Sequence, residues 1–369
     1  MKKKPLSAHA IIMAGGRGTR FWPRSRTRTP KQLLNILGDS TMLQQTVARL
    51  APLVPPSRIW VVTNREQAAE VRRQLLRVPR EQILDEPVGR NTAAAIALAS
   101  LHIAKRFGDA PTAVLPADHF IAQPARYRRI VRAALEIARR GPNLVVLGIP
   151  PTRPDIGFGY VERGRSAGRI GGVSAYNLRR FTEKPSLTVA KRYLASGRFY
   201  WNAGMFFWRV STFFDCLREF LPATHRAFTR AATDIGTRRE ARALARIYQR
   251  LENISVDYAV MEPASRAQGA RRVFVLPAEI GWSDIGSWAS VYELLARRKG
   301  ENVSAGRFFA LDAQGNFFWS PKKLVAAIGV KDLVVVESRD ALLLCPRDRA
   351  QDVSKIVKWL EAEKLRRLL

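Results

Sequence analysis

The sequence predicts an α/β fold: a mainly parallel, doubly wound sheet followed by a small β-rich region and a terminal helix. Three observations predict it. Short apolar runs alternate with helical segments of roughly 10–15 residues through the first half of the chain. The first of these runs ends directly in a loop rich in glycine and arginine, and ligands in such sheets sit at the carboxyl ends of the strands. From about residue 302 the helices give way to closely spaced β segments.

Taken in order, the apolar run 10–13 is short and bounded by glycine, and so reads as a buried strand. Ser40 is placed to cap a helix over 41–53, which Pro52 and Pro55-Pro56 would end. Residues 59–62 form the second strand, 67–76 a helix, and Ile83-Leu84 leads into Asp85-Glu86-Pro87. The alanine-rich stretch 92–107 reads as a buried helix opened by Gly89-Arg90-Asn91-Thr92. A strand over 113–115, a helix over 127–140 and a strand over 144–147 follow. The texture then changes. Gly157-Phe158-Gly159-Tyr160 has the glycines of a loop that approaches a ligand closely. Phe181-Thr182-Glu183-Lys184-Pro185 reads as a strand end opening a helix over 186–195. Trp201-Asn202-Ala203-Gly204-Met205 leads into a strand over 206–210, residues 255–262 have helical spacing, and Asp284 stands at the entry to a helix. The late β segments fall at 308–311, 317–319, 324–328, 333–336 and 341–344, with an amphipathic helix over 350–365.

The loop after the first strand is Gly15-Gly16-Arg17-Gly18-Thr19-Arg20. Glycine bares backbone N–H groups, and the forked guanidinium groups nearby neutralise charge, which together suit a polyphosphate. A P-loop is excluded because no Gly-Lys pair occurs here, and the dinucleotide fingerprint fails because its third glycine falls on Phe21. Asp118, directly after the strand 113–115, is either a magnesium ligand at a strand's carboxyl end or a helix cap. His119 reads as hydrogen-bonded structure.

At 369 residues with 47% hydrophobic content, the chain can bury a sizeable core. Cys216 and Cys345 lack ligand spacing and read as reduced core residues, which favours the cytoplasm. Met1-Lys2-Lys3-Lys4 resembles the start of a secretion signal, but the apolar stretch after it is broken by His9 and runs into the glycine loop. No run approaches the ~18 apolar residues of a membrane helix. Net charge is +31, with 62 basic against 31 acidic residues. Nucleic-acid binders are basic because phosphate neutralisation drives their affinity. Here the arginines are scattered over every segment, and no nucleic-acid-binding motif accompanies them. A specific nucleic-acid partner is therefore not expected, nor a membrane.

The stretch GGRGTRFWPRSR…PKQ resembles the signature loop of the sugar-nucleotide pyrophosphorylases, and its FWP variant resembles that of the mannose-1-phosphate guanylyltransferases. The resemblance spans roughly residues 8–345 and continues in order through EPVGRNTAAA, PADH, FGYV, FTEKP, WNAGMF, SVDYAVME and GWSDIGSW. It implies a Rossmann-like nucleotidyltransferase domain over 1–298 and a left-handed β-helix-like region with a terminal helix over 299–369. It also implies transfer of GMP from GTP to α-D-mannose 1-phosphate, giving GDP-mannose and pyrophosphate, with Mg²⁺ or another divalent cation and a homodimer as one assembly.

By the same resemblance, Ala14, Gly15, Gly16, Gly18, Thr19 and Arg20 form the nucleotide loop. Arg17 and Lys31 act on the triphosphate, and Arg90, Asn91 and Thr92 belong to the segment that reads base and ribose. Asp118 and Asp284 match the metal ligands. Gly159, Tyr160, Glu183, Asn202 and Asp257 line the sugar-phosphate pocket, where Lys184 holds the sugar's phosphate. Ala94 stands where the family usually has proline, Ala203 where serine is common and Arg24 where leucine is common, without removing a ligand or a charge. The chain ends too soon for the isomerase domain of the larger members, so that activity is not expected. Rival readings are a UTP- or dTTP-dependent enzyme acting on glucose 1-phosphate, and a non-catalytic sugar-nucleotide sensor, which would have no reason to keep Arg17, Lys31, Asp118 and Asp284 together.

Overall fold

Nine strands form one sheet in the computed structural model, which describes residues 7–267 and 272–369. The lysine run at 2–4 lies outside the described residues. The strands are β1 (His9–Met13), β2 (Ile59–Asn64), β3 (Ile83–Glu86), β4 (Pro111–Pro116), β5 (Asn143–Ile149), β6 (Tyr160–Ile170), β7 (Val173–Thr182), β8 (Phe199–Arg209) and β9 (Arg272–Pro277). Their order across the sheet is β3-β2-β1-β4-β8-β5-β9-β7-β6. β3, β2, β1 and β4 are mutually parallel. β8 runs against both β4 and β5, and β7 against both β9 and β6. All the other strands share one direction, so the sheet is mixed: a parallel block β3-β2-β1-β4 and the parallel pair β5-β9, with β8, β7 and β6 joined through antiparallel pairs. The helices are α1 (Met42–Leu50), α2 (Arg65–Gln74), α3 (Asn91–Phe107), α4 (Pro124–Arg139), α5 (Leu187–Ser196), α6 (Val210–Phe220), α7 (Pro222–Ala231), α8 (Glu240–Tyr248), α9 (Glu262–Arg266), α10 (Trp288–Leu295) and α11 (Val353–Ala362).

The chain divides into two compact units. One takes in the described residues up to Gly15, with 47–117 and 121–282; the other takes in 16–46, 118–120 and 283–369. The first unit holds the whole nine-stranded sheet. There the buried Ala93, Ala94, Ala95, Ala97 and Ala99 let α3 lie close against β1 and β2. Bulkier side chains would hold the helix off and open voids that close-packed interiors avoid. The long hairpin of β6 and β7 turns on Gly171 and Gly172, whose φ values of 57° and 79° are those of a two-residue hairpin turn that glycine adopts without strain.

The second unit has its own core. Phe21 and Trp22 from the glycine-loop segment pack with Trp288 and Val291 of α10, with Phe317, Val334 and Leu343, and with Val357 and Leu360 of α11. Six short strands build the late region: β10 (Val303–Ser304), β11 (Phe308–Leu311), β12 (Phe317–Trp319), β13 (Val325–Ile328), β14 (Leu333–Glu337) and β15 (Leu342–Pro346). β10, β12 and β14 pair in parallel, as do β11 and β13. Stacked short parallel strands of this kind are the pattern of a β-helix.

The helix expected over 41–53 is α1, but its cap is Thr41, not Ser40. The Thr41 hydroxyl accepts from the Gln44 N–H at 3.3 Å and the Gln44 side chain accepts from the Thr41 N–H at 3.0 Å, a reciprocal capping box. WNAGMF lies within the eleven residues of β8, so these residues are strand rather than an approach to one. Neither cysteine forms a disulfide; Cys216 is buried in α6, and Cys345 in β15 is half-buried and packs against the core of the second unit. Among the described residues no helix is long and apolar enough to cross a membrane.

Candidate functional site

In the second unit the glycine loop folds back on Lys31. Gly18 has φ 58°, and a Cβ there would lie 2.6 Å from both the Cβ and the backbone nitrogen of Lys31. Only glycine meets both demands, the left-handed backbone and the missing side chain. Gln32 donates to the Gly16 carbonyl at 2.9 Å, and Arg20, after Thr19 in a single 3₁₀ turn, donates to the Gly286 carbonyl at 3.2 Å. Arg17 pairs with Glu361 of α11. Lys31 is buried, and its ammonium donates to Asp118 Oδ2 at 2.9 Å and to the Asp284 main-chain carbonyl at 2.5 Å. Burial pushes the Asp118 carboxyl up, but the Lys31 ammonium and His119 outweigh it and hold the group below the usual carboxylate range.

The sequence thus brings Lys31, Asp118 and Asp284 together in one unit. Among the described residues no three or more His, Cys, Asp or Glu side chains gather as a metal cage. Mg²⁺ does not need one, since it is commonly held by one or two carboxylates with waters and substrate phosphate oxygens. The hard oxygens of Asp118 and Asp284 fit that habit.

In the first unit, Ala14 and Gly15 follow β1, and the Ala14 carbonyl accepts from the Thr63 hydroxyl at 3.1 Å. Arg90, Asn91 and Thr92 open α3. Arg90 donates to the carbonyls of Tyr248 (2.7 Å) and Gln249 (3.0 Å), and the Thr92 hydroxyl accepts from the Val256 N–H at 2.8 Å. Asn91, at φ 63°, accepts from the Thr92 N–H through its own side chain. Arg90 and Thr92 therefore fasten the start of α3 to 248–256. The N–H groups of Thr92 and Ala93 at the start of this 17-residue helix already donate, to the Asn91 side chain and the Ile254 carbonyl, so the helix end offers an anion its partial positive charge.

The residues expected around a sugar phosphate converge in the same unit. Asn202 in β8 donates to Asp257 Oδ1 at 2.7 Å and accepts from the Gly204 N–H at 2.9 Å. Asp257 opens a π-helical turn (Asp257–Met261), an irregularity frequent at functional sites. A Cβ on Gly159 would lie 2.2 Å from Glu183 Oε2, so glycine is what admits the carboxyl. That oxygen is buried without a hydrogen-bond partner. Burial first, and the Asp257 charge second, push Glu183 up to about 7. Lys184, at φ 47°, brings its ammonium to 4.0 Å from Glu183 Oε1 and stays largely exposed. Tyr160 is fully buried with its hydroxyl donating to the Asp155 carbonyl at 3.0 Å, which makes it a support for the Gly157–Gly159 loop.

One residue escaped the sequence reading. Glu86 ends β3, is only 5% exposed, and its Oε1 has no hydrogen-bond partner. Its Oε2 faces the Gly15 backbone, 3.8 Å from where a Cβ there would sit. Burial drives its carboxyl up to about 8, against a hydrogen bond from the Tyr248 phenol. The signal was present in the sequence as a glutamate closing an apolar strand, beside the proline that opens the nucleotide segment.

Residues 9–299 match the nucleotidyl transferase family, and residues 306–360 match the MannoseP isomerase/GMP-like beta-helix domain. The chain is 38% identical over 364 residues to the mannose-1-phosphate guanylyltransferase of Escherichia coli (strain K12), covering 96% of this chain and 74% of that protein. It is 39% identical over 357 residues to the Xanthan biosynthesis protein XanB of Xanthomonas campestris pv. campestris (strain B100), covering 95% and 73%. The crystal structure of a mannose-1-phosphate geranyltransferase, as it is described, from Thermus thermophilus aligns with a TM-score of 0.85 at 36% identity, over 96% of this chain and 100% of that one.

Proposed function

We propose that this chain, which belongs to the mannose-1-phosphate guanylyltransferase family of nucleotidyl transferases, transfers GMP from GTP to α-D-mannose 1-phosphate and releases pyrophosphate. Similarity to curated relatives of that activity over nearly the whole chain carries the reading. An oxygen of the sugar phosphate attacks the α-phosphorus in line, the bond from that phosphorus to the bridging β-phosphate oxygen breaks, and the pyrophosphate departs with the electron pair. The nucleophile is already an anion, so no side chain need remove a proton. Catalysis then reduces to aligning two anions and neutralising their charge.

In this reading Gly15, Gly16 and Gly18 offer backbone N–H groups to the triphosphate, and Arg17 and Lys31 balance the charge that builds on the departing pyrophosphate. Asp118 and Asp284 would hold Mg²⁺, which when bound supplies further neutralisation of phosphate charge. Glu86 reads the base. Guanine presents N1–H and the 2-amino group side by side, two donors that a single carboxylate can accept together, whereas adenine and the pyrimidines lack that pair. Glu183, Asn202 and Asp257 accept from and donate to the sugar hydroxyls, and Lys184 holds the sugar phosphate. The reading retains a nucleotidyltransferase domain over 1–298 and a β-helix-like region over 299–369. It includes a homodimer and a cytoplasmic setting, which sedimentation and fractionation test.

Incubating the full chain with GTP, α-D-mannose 1-phosphate and Mg²⁺, and separating the nucleotides by anion exchange, tests the reaction. GDP-mannose should appear one for one with pyrophosphate. GTP consumed to GDP and phosphate, or not consumed at all, would overturn it.

A further inference from the structure

A cavity of about 670 Å³ opens in the first unit between β3, the second half of α3 and the start of α8. None of the residues assigned above to nucleotide, metal or sugar lines it. Its floor is apolar, built from Trp60, Ile83, Leu98 and Leu244, all buried. Its wall is charged, and each of its three carboxylates is already paired. Asp85 takes Arg72 at 3.0 Å, Glu81 takes Arg106 at 3.3 Å, and Glu240 takes His102 at 3.0 Å. Lys105 donates to the main-chain carbonyls of Thr233 and Ile235 and lies in the field of the Glu240 carboxylate. Arg65, Arg80 and Arg238 make no ion pair among the described residues. Three arginines, Arg65, Arg80 and Arg238, therefore line one cavity without an ion pair, over an apolar floor, in a volume typical of small-molecule sites.

We propose that this cavity binds a phosphorylated small molecule with a planar or apolar body, a nucleoside diphosphate in size and chemistry, as a second site separate from the reacting one. The uncompensated cations take the phosphates and the apolar floor takes the body. The site is connected to the proposed nucleotide segment by shared elements. Ile83, Leu84 and Asp85 line the cavity, and the next residue of β3 is Glu86. Leu98, His102 and Lys105 line it from α3, the helix that Asn91 and Thr92 begin. A ligand that stiffens or shifts β3 and α3 changes the affinity of the first site, and linkage makes the effect reciprocal.

The test titrates ADP, whose base lacks guanine's donor pair, into the full chain by calorimetry at physiological salt. It uses wild type, Arg80→Glu/Arg238→Glu, and Arg366→Glu/Arg367→Glu as a control with the same change in net charge. The proposal expects wild type and the control to bind alike and the cavity variant to bind at least tenfold more weakly, with an unchanged melting temperature and unchanged GTP affinity in the absence of ADP. It also expects saturating ADP to shift the GTP affinity of wild type but not of the cavity variant. Equal binding by all three proteins, or equal weakening in the control, would overturn it, the latter by reducing the effect to bulk charge. An acidic peptide that outcompetes ADP in the cavity would overturn the ligand class. Binding is read without turnover, so a failure of the proposed reaction leaves this result standing or falling by itself.

Discussion

Lys31 donates to Asp118 across 2.9 Å, and the same ammonium holds the main chain of Asp284. The lysine proposed for the triphosphate and a carboxylate proposed for the metal thus engage each other. The ammonium keeps a third proton for a phosphate oxygen, and Asp118 keeps its second carboxylate oxygen for a metal. Lys31→Met should lower turnover by on the order of 10²–10³, with Lys31→Arg recovering little because a planar fork does not replace a compact ammonium. Steady-state kinetics check this, and near-normal turnover in Lys31→Met would remove the residue from the reaction.

Arg17 pairs with Glu361, and both side chains are well exposed at 54% and 39%. Exposed pairs contribute about 0–1 kcal/mol, so Glu361→Ala should leave the melting temperature nearly unchanged. If Arg17 serves the triphosphate, freeing it should lower KM for GTP, while Arg17→Ala lowers kcat by on the order of 10²–10³. A large loss of stability in Glu361→Ala would instead make the pair a structural clasp.

Glu86 gives a pH dependence. Its carboxyl is raised by burial to about 8, so between the ordinary glutamate range and pH 8 the unfolded chain ionises while the folded one stays protonated. The folded state therefore loses stability relative to the unfolded as pH rises through that window. Glu86→Gln, which cannot ionise, should gain melting temperature relative to wild type between pH 5 and pH 8. The same variant should lose GTP affinity and lose the rise of that affinity with pH up to about 8. Parallel melting curves at both pH values would contradict the burial account, and unchanged GTP affinity would contradict the base-reading role.

Two glycines are set by space. Gly159→Ala would drive a methyl group into Glu183 Oε2, 2.2 Å away, and should raise KM for the sugar phosphate more than KM for GTP. Gly18→Ala combines a left-handed backbone with a 2.6 Å clash against Lys31, and should cost about 1–3 kcal/mol of stability as well as turnover. Chemical denaturation and the two KM values separate these cases.

The parallel block of the fold was legible because its strands are short, apolar and punctuated, as in β1, β2 and β4, with α3 marked by its alanines. The β6–β7 hairpin and the helices α6, α7 and α8 were not anticipated. The hairpin's strands carry many charged residues on exposed faces, and the basic stretch around α8 offers few caps. Site residues were legible where backbone geometry demands a residue type, as at Gly18 and Gly159. Arg90 and Thr92 show what sequence cannot separate: both carry ligand-like groups, and both are engaged by the backbone of 248–256. Glu86 was missed because burial alone makes its carboxyl unusual, and burial is a tertiary property.

The most direct measurement is the initial rate of pyrophosphate release for GTP, UTP, dTTP and ATP, each crossed with mannose 1-phosphate and glucose 1-phosphate in the presence of Mg²⁺. Rapid release with GTP and mannose 1-phosphate, and rates lower by at least two orders of magnitude for every other pair, is the predicted result. Comparable release with UTP or dTTP and glucose 1-phosphate would contradict the assigned specificity, and no release with any pair would contradict the reaction itself.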